Sequence, residues 1–221
     1  MLQTQHPEAL APGARPAALL AGPALVARMA RYSLSSWGPD GAARGELESF
    51  IRTVFLRRHG ASIQSFLPNL LDLRDRAGRL CGVVGYRAAA QERLFLEQYL
   101  DAPVEEAIAR MHGGSVERAA IAEVGNLAAM SCRAARVLAA RLPLRLLGAG
   151  HRWIVFTGTR VVRDLLGSLD APIIDLGAAD PSRLGDGAAG WGRYYDAEPR
   201  VLAGYLPGSL SLPGFAVQAS A

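Results

Sequence analysis

Apolar residues follow two different periods along this chain, and each period predicts a kind of element. From Glu46 the apolar positions recur three and four residues apart, which predicts a helix that ends near Gly60. Two apolar runs, at 65–75 and 80–87, flank a polar turn that contains Gly78. That arrangement is typical of a β-hairpin.

The second half of the chain alternates short apolar runs with amphipathic stretches. After a helix from Val104 to Met111 we expect strands at 118–124, 153–156 and 172–176, helices at 131–142 and 160–166, and a last strand at 201–206. Pro143 is expected to end the 131–142 helix, because proline lacks the N–H that a helix interior needs. Alternating strands and helices predict an α/β layer with crossover connections, and the hairpin makes the sheet mixed.

The length of 221 residues favours one domain with extra material at its ends. Residues 1–44 are rich in Ala, Pro and Gly and are predicted to form a loosely ordered N-terminal leader. The domain itself is predicted to cover residues 45–206, and residues 207–221 are predicted to be a C-terminal tail.

The charge pattern disfavours a nucleic-acid partner. All 24 positive charges are arginines, and they are interleaved with 20 acids, so no basic stripe stands out despite the net charge of +4. A GC-rich genome would account for arginine in place of lysine. The functional alternative is recognition of phosphate or carboxylate groups, which suit the arginine fork.

Cysteine usage and hydropathy predict a cytoplasmic protein. Cys81 and Cys132 are far apart and have no close histidine, so we expect two buried, reduced thiols and no metal site. No apolar run reaches the ~18 residues of a membrane helix, so no transmembrane segment is predicted. The run 17–27 has no basic segment ahead of it, so no signal peptide is predicted.

The stretch 119–128 is the strongest candidate for a site. An apolar strand carries Glu123, reaches a Gly125-Asn126 break and gives way to a helix near Ser131. The N-terminus of a helix offers unpaired N–H groups and a partial positive charge. The sequence therefore predicts a place for a phosphate or an oxyanion.

The order of elements resembles the GCN5-related N-acetyltransferase fold. The segment Glu123–Ala128 is similar to the Glu-x-Ser-Arg-x-Ala strand of acyl-homoserine-lactone synthases, which share that fold. A closer resemblance, over residues 46–206, is to the thermostable hemolysin family. Its segments are His59–Ala61, Phe66–Pro68, Leu73–Asp75, Gly85–Arg87, Leu94–Asp101, Glu123–Ala128, Phe156–Thr159 and Trp191–Asp196.

The resemblance implies a three-layer α/β fold of the GCN5-related N-acetyltransferase type, with a mixed, splayed central sheet. It also implies an N-acyltransferase that moves an acyl group from a thioester to the amine of a small amino-acid-like acceptor by direct attack. The donor would be an acyl-phosphopantetheine, on acyl carrier protein or coenzyme A, with no tightly bound cofactor. Residues 126–134 lack the glycines of the acetyltransferase pyrophosphate loop, which favours a carrier protein.

Two other classes of function stay open. The family name implies a membrane-active hemolysin, although the sequence has no export signal, long apolar segment or amphipathic repeat. The other class is a catalytically inactive acyltransferase-like module that binds an acyl carrier in a biosynthetic pathway.

Glu123 is the first candidate catalytic residue. A carboxylate in an apolar strand needs a partner, so it either pairs with an arginine such as Arg87 or acts as a base whose pKa is raised by burial. An ion pair can also orient a substrate, so both roles are compatible. Glu97 and Tyr99, in a second polar cluster, are further catalytic candidates, and helix capping and packing explain that cluster about as well as binding of a substrate amine or carboxylate does. Asn126 either adopts a left-handed turn or holds the thioester oxygen.

The remaining candidates are assigned to donor and acceptor binding. The donor arm is assigned to Val124, Gly125, Leu127, Ala128 and Ser131, with Arg133 and Arg136 near its phosphate. The simpler interpretation of these two arginines is a solvated helix face, and the alternative to phosphate binding is contact with acids on a carrier protein. The acceptor is assigned to Arg87, Trp191, Tyr194 and Tyr195, although tyrosines are often core residues. His59 beside Gly60 suits a helix end and is not assigned to catalysis.

Overall fold

The structure, a computed structural model, describes residues 31–168 and 171–209, and in that part of the chain a seven-stranded mixed sheet has the order β1-β2-β3-β4-β5-β7-β6. β4 and β5 are parallel, and all other neighbours are antiparallel. The strands are β1 Tyr32–Trp37, β2 Asn69–Asp75, β3 Leu80–Ala88, β4 Ile121–Ala129, β5 Trp153–Gly158, β6 Ile173–Ala178 and β7 Arg200–Tyr205.

Helices connect the strands and cover both faces of the sheet. The α-helices are α1 Arg44–His59, α2 Val104–His112, α3 Cys132–Gly148, α4 Arg160–Gly167 and α5 Leu206–Ser209. Four 3-10 helices are Phe95–Tyr99, Arg118–Ala120, Pro181–Trp191 and Tyr195–Ala197. α1 ends as predicted, because Gly60 takes the left-handed conformation (φ 65°) and its N–H bonds to the Leu56 carbonyl.

Neighbouring residues of the central strands point to opposite faces, which produces the three layers. Leu71 and Val84 pack with α3 on one face. Leu70 and Val83, one position away in each strand, pack with α1 on the other face. The predicted three-layer α/β fold with a mixed sheet and a β2–β3 hairpin is therefore confirmed.

The sheet opens between its two parallel strands. β4 and β5 pair from Ile121 with Trp153 as far as Val124 with Phe156. Beyond that point β4 stays on β3 as far as Ala129, whereas β5 stays on β7 as far as Gly158. The two strands diverge because each keeps its other neighbour, which gives the predicted splay.

Two predicted boundaries were wrong. Pro143 does not end its helix, because α3 continues to Gly148. Leu142 and Leu146 on either side of the proline are buried in the core, and this packing outweighs the one hydrogen bond that proline removes. β4 does not end at residue 124 either, because Ala128 and Ala129 continue its pairing with β3.

The predicted leader and the predicted burial of both cysteines differ from the structure. β1 lies in the segment assigned to the leader, where it pairs with β2 along its whole length. Residues 1–30, and most of the predicted tail, lie outside the described residues, so the domain boundaries stay predictions. Cys81 is half-buried as part of β3, but Cys132 is exposed at the start of α3 and is not a buried thiol.

Candidate active site

β4 carries a bulge at the point where it leaves β5. Gly125 pairs with Gly85, but the next pair is Ala128 with Val83, so two residues of β4 face one residue of β3. Asn126 takes up the bulge in the left-handed conformation, with φ 51°, which asparagine tolerates better than most residues. The predicted Gly-Asn break is therefore a bulge inside the strand.

The segment before β2 is tied down over this bulge. The Leu67 N–H donates to Oδ1 of Asn126 at 2.8 Å, and the guanidinium of Arg44 donates to the carbonyls of Leu67 and Pro68 at 2.9 and 2.8 Å. A Cβ on Gly125 would lie 3.1 Å from Leu67 Cδ1, so the leucine rests directly on the glycine. The Asn126 side-chain oxygen thus accepts the Leu67 N–H.

Glu123 is buried beside the bulge with both carboxylate oxygens in use. Oε1 accepts from the Leu96 N–H at 3.0 Å, and Oε2 accepts from the Phe95 N–H at 3.2 Å. Arg87 Nε lies 2.8 Å from Oε2, which makes the predicted ion pair. Burial raises the pKa of Glu123, and Arg87 and the two backbone N–H groups offset part of that rise.

The Arg87–Glu123 pair is close but not well aligned. The Nε–H of Arg87 is buried, and among the described residues it meets no acceptor with hydrogen-bond geometry. The pair therefore acts mainly through charge. A second carboxylate, Glu92, lies 2.8 Å from Arg87 Nη1. Glu123 thus links the 95–99 helix and Arg87 to β4, which is a positioning role.

Glu97 has structural partners that account for its burial. Its oxygens accept from the N–H groups of Leu94 and Val104 at 2.8 and 3.0 Å. Arg118 donates to both oxygens, at 2.7 and 3.0 Å. Burial opposes the charge, but Arg118 and the two N–H groups outweigh it and lower the pKa of Glu97 to about 2. Each oxygen of Glu97 thus accepts two hydrogen bonds.

A cluster of aromatic side chains, which we call the aromatic wall, packs between α1 and the 95–99 helix. Its members are Phe55, Tyr99, Trp191, Tyr194 and Tyr195. Tyr194 stacks on Phe55 with centroids 6.5 Å apart and meets Trp191 at 5.1 Å. Tyr99 and Tyr195 share a hydrogen bond of 2.7 Å between their hydroxyls. Burial raises the pKa of both Tyr99 and Tyr195, so both are neutral phenols near pH 7. The structure thus brings together three of the predicted acceptor residues, Trp191, Tyr194 and Tyr195.

This wall is attached to α1 and to β5. The Arg193 N–H donates to the His59 carbonyl at 2.7 Å, and the Ser62 N–H donates to the Gly190 carbonyl at 2.8 Å. The hydroxyl of Tyr194 donates to the carbonyl of Thr157 at 3.3 Å. Thr157 lies just past the last β4–β5 pair, so the wall borders the opening of the sheet.

The donor residues predicted on α3 lie at its first turns. Ser131 caps the helix, since its Oγ accepts from the Ala134 N–H at 3.2 Å. Arg133 and Arg136 are exposed, as a shared helix face predicts, and Arg136 reaches Ser168 Oγ at 3.4 Å. On β4, Val124 and Leu127 are half-buried and Ala128 is buried.

A surface depression of about 410 Å³ lies elsewhere, beside the Glu97–Arg118 pair, and is lined in part by Asp101 and Glu105. Four of the five charged residues that line it, all but Arg93, already have partners within the described part of the chain, because Arg118 binds Glu97 and Glu105 and Arg183 binds Asp101. We therefore place the candidate site at the bulge of β4. The described residues hold no cluster of three or more His, Cys, Asp or Glu suited to a metal ion, and none of their helices could span a bilayer.

Sequence reasoning missed the covering segment and its anchor. Leu67 was noted only as part of a similar segment, and Arg44 was not singled out. The available signal was a glycine inside each of two apolar runs, Gly85 and Gly125, since a glycine within a strand often marks a bulge or a close approach. The structure pairs these two glycines across the sheet, which leaves room for the Leu67 side chain.

Several solved structures with this fold are named as synthases or acetyltransferases. FeeM, an N-acyl amino acid synthase from uncultured soil microbes, is 16% identical, with a TM-score of 0.56 over 80% of this chain and 91% of that one. The AHL synthase LasI is 13% identical, with a TM-score of 0.55 over 79% and 90%. A putative N-acetyltransferase from Lactobacillus plantarum is 10% identical, with a TM-score of 0.50 over 79% and 98%. At these identities the likeness shows a shared fold.

A comparison with curated proteins gave no match. The sequence profile of the family described as thermostable hemolysin matches residues 37–210, which include β2 to β7, the bulge and the aromatic wall. The chain therefore belongs to the thermostable hemolysin family.

Proposed function

We propose that this protein is an N-acyltransferase that moves an acyl group from a thioester to the amine of a small, amino-acid-like acceptor. The observation that carries the proposal is the opening of the sheet, where β4 and β5 separate after Val124 and Phe156 and β4 bulges at Asn126. Backbone N–H and C=O groups at such an opening have no strand opposite them. The amide groups of a pantetheine arm are suited to bond there as a short extra strand does.

The shared fold supports the same class of reaction. An N-acyl amino acid synthase and an AHL synthase have this architecture. Because one fold hosts several chemistries, the fold alone does not assign the substrates. The assignment of donor and acceptor rests on the site of this chain.

We assign the donor arm to residues 124–128, with its phosphate near Arg133 and Arg136 at the start of α3. Both arginines are exposed, and Arg133 lies in the first turn, where the helix dipole also favours an anion. Residues 126–134 contain no glycine, so the backbone has no special freedom to wrap the pyrophosphate of coenzyme A. This favours a donor carried on acyl carrier protein.

We assign the acceptor to the aromatic wall, beside Arg87 and Glu123. Trp191 and Tyr195 are half-buried, so each keeps part of its ring surface available for contact. Glu123 orients Arg87 and the 95–99 helix, and through them the acceptor. Direct attack by the amine on the thioester then needs positioning and a proton acceptor, with no covalent enzyme intermediate.

The test is product formation. The purified protein is incubated with acyl-loaded carrier protein, or with acyl-coenzyme A, and a pool of amino acids, and acylated products are sought by mass spectrometry. We expect an N-acyl product, formed faster from the carrier protein. Product from neither donor, across a broad panel of amines, would overturn the proposal. Binding of the carrier protein without product would favour an inactive binding module.

The family description favours a second candidate, membrane lysis. Dye leakage from liposomes at low protein concentration would support it. The two functions separate in one comparison, because an acyltransferase forms product without membranes and a lytic protein releases dye without a thioester donor.

A further inference from the structure

We propose that His59 is the general base of the acyl transfer, taking the proton from the acceptor amine at the opening of the sheet. This inference rests on the proposed function and adds a residue to it. Glu123, the carboxylate first considered for that task, has its oxygens occupied by Arg87 and by the N–H groups of Phe95 and Leu96.

His59 ends a helix whose last turn is linked to both diverging strands. Its neighbour Arg58 donates to the carbonyl of Ala129, at the end of β4, at 3.0 Å. Its ring meets Tyr194 edge to face at 5.3 Å, and the hydroxyl of Tyr194 donates to Thr157 of β5. The last turn of α1 is thus attached to β4 directly and to β5 through Tyr194. The imidazole packs against the aromatic wall to which we assign the acceptor.

The imidazole is half-buried, and its nitrogens are available. Within residues 31–168 and 171–209 neither ring nitrogen makes a hydrogen bond or an ion pair. A half-buried histidine without a polar partner is held only by its ring contacts, with Tyr194 and with Phe55 at 5.8 Å. Such a ring keeps a free lone pair for a proton, which a satisfied side chain lacks.

The charges around His59 favour the neutral form that a base needs. Burial lowers its pKa, and the nearby guanidinium groups of Arg58 and Arg193 lower it further. The groups that face the ring are Arg58 from α1, and Arg193 and Tyr194 from the segment after the 181–191 helix. Among the described residues no carboxylate pairs with it, so nothing holds it as an imidazolium near pH 7.

The reaction balances with one proton passed through His59. The nitrogen lone pair of the acceptor amine attacks the thioester carbonyl carbon, the C–N bond forms and the C–S bond breaks. The imidazole takes an N–H proton from the attacking amine, and the imidazolium then passes that proton to the leaving thiolate sulfur. The products are an amide and a free thiol, and the imidazole is neutral again.

The test compares two histidines that end helices in the same way. His59 precedes Gly60 (φ 65°) and packs on Tyr194, whereas His112 ends α2, precedes Gly113 (φ 82°) and packs edge to face on Trp153 at 4.9 Å. His59→Gln and His112→Gln are assayed with the full chain, an acyl donor and the best acceptor over a range of pH. Thermal unfolding checks that both variants are folded.

We expect His59→Gln to lower kcat/KM by about 100-fold or more, as loss of a general base does, and His112→Gln to leave it within about twofold. The wild type should lose activity as the pH falls through the pKa of His59, and His59→Gln should lack this acidic limb. In His59→Ala, added imidazole should restore part of the rate.

Three outcomes would overturn the inference. Equal effects of the two glutamine variants on kcat/KM would show that His59 ends α1 and takes no part in catalysis. An unchanged acidic limb in His59→Gln would assign the proton to another group, while the proposed function would stand. If the wild type itself forms no product from any donor, the proposed function fails and the base fails with it.

Discussion

The Leu67 N–H donates to the side-chain oxygen of Asn126 at 2.8 Å, so the bulge of β4 holds the segment that covers it. The bulge needs a left-handed residue, and the covering segment needs a hydrogen-bond acceptor at that place. Asparagine satisfies both requirements, because its short amide tolerates φ > 0 and offers an acceptor oxygen.

Asn126→Gly and Asn126→Ala separate these two roles. Glycine keeps the left-handed backbone and loses the bond to Leu67, so we expect the free energy of unfolding to fall by about 1 kcal/mol. Alanine loses the bond and adds the strain of a Cβ at φ > 0, for about 2 kcal/mol in all. Urea denaturation measures both. Hydrogen exchange at the Leu67 amide should quicken in each variant, and unchanged exchange in Asn126→Gly would show that the bond does not hold the segment.

Glu123→Gln removes the charge that faces Arg87. We expect turnover to be abolished in a folded protein, because the 95–99 helix and Arg87 lose the group that positions them. The free energy of unfolding should fall by about 2 kcal/mol, the scale of a hydrogen bond to a charged group. Product formation and chemical denaturation check the two effects.

Glu92→Gln is the matched control for that variant. Glu92 is the other partner of Arg87, but its side chain is 53% exposed, so the loss of its charge should change turnover by less than about twofold. Retained turnover in Glu123→Gln would remove Glu123 from the mechanism.

Local patterns predicted most of the elements of the sheet. The runs at β2, β3, β5, β6 and β7 are short segments rich in apolar residues between turn residues, and their sequence alone indicates strands. β1 escaped prediction because its sequence, Tyr-Ser-Leu-Ser-Ser-Trp, has three serines and only partial burial. The predicted helix end at Pro143 was wrong because the packing of α3 on the sheet outweighs the effect of a proline inside the helix.

The candidate site was only partly predictable. The Arg87–Glu123 pair was foreseeable, because a carboxylate in an apolar strand needs a cation. The role of Glu97 was not, because its partner Arg118 is 21 residues away and only the fold brings them together. His59 was assigned to a helix end on local grounds, which is correct for α1 but ignores the aromatic wall that packs against it later in the chain.

The Glu97–Arg118 pair predicts how stability depends on pH. The folded pKa of Glu97 is about 2, below its ordinary value of 4.5, so its contribution is fully present above pH 4.5 and is lost as the pH falls toward 2. At neutral pH that contribution is at most on the order of 3 kcal/mol. Denaturation of the wild type and of Glu97→Gln between pH 7 and pH 2 should therefore show a gap in stability that narrows below pH 4.5. A gap that stays constant would mean that the charge of Glu97 does not stabilise the fold.

Gly192 is the position where we expect one added methyl group to lower stability most. Its backbone (φ 54°, ψ −125°) is one that glycine alone adopts readily, and a Cβ there would lie 2.3 Å from the His59 carbonyl oxygen and 2.7 Å from the Gly60 carbonyl carbon. Alanine must therefore push the Gly190–Tyr194 segment off the end of α1. We expect Gly192→Ala to lower the free energy of unfolding by about 3 kcal/mol or more and to abolish turnover, because the aromatic wall loses its anchor.

Gly187→Ala is the control for that substitution, because Gly187 lies inside the 181–191 helix that Gly192 follows. A Cβ at Gly187 would meet only Leu184, at 3.9 Å, which is ordinary contact, so stability should change by less than about 1 kcal/mol. Thermal unfolding compares the two variants, and near-ultraviolet circular dichroism reports on the aromatic wall. If Gly192→Ala keeps both the wild-type spectrum and the wild-type stability, the contact between residue 192 and His59 does not hold the wall. The wall would then have to be fixed by the Tyr194–Thr157 and Tyr99–Tyr195 hydrogen bonds, which Tyr194→Phe and Tyr195→Phe test directly.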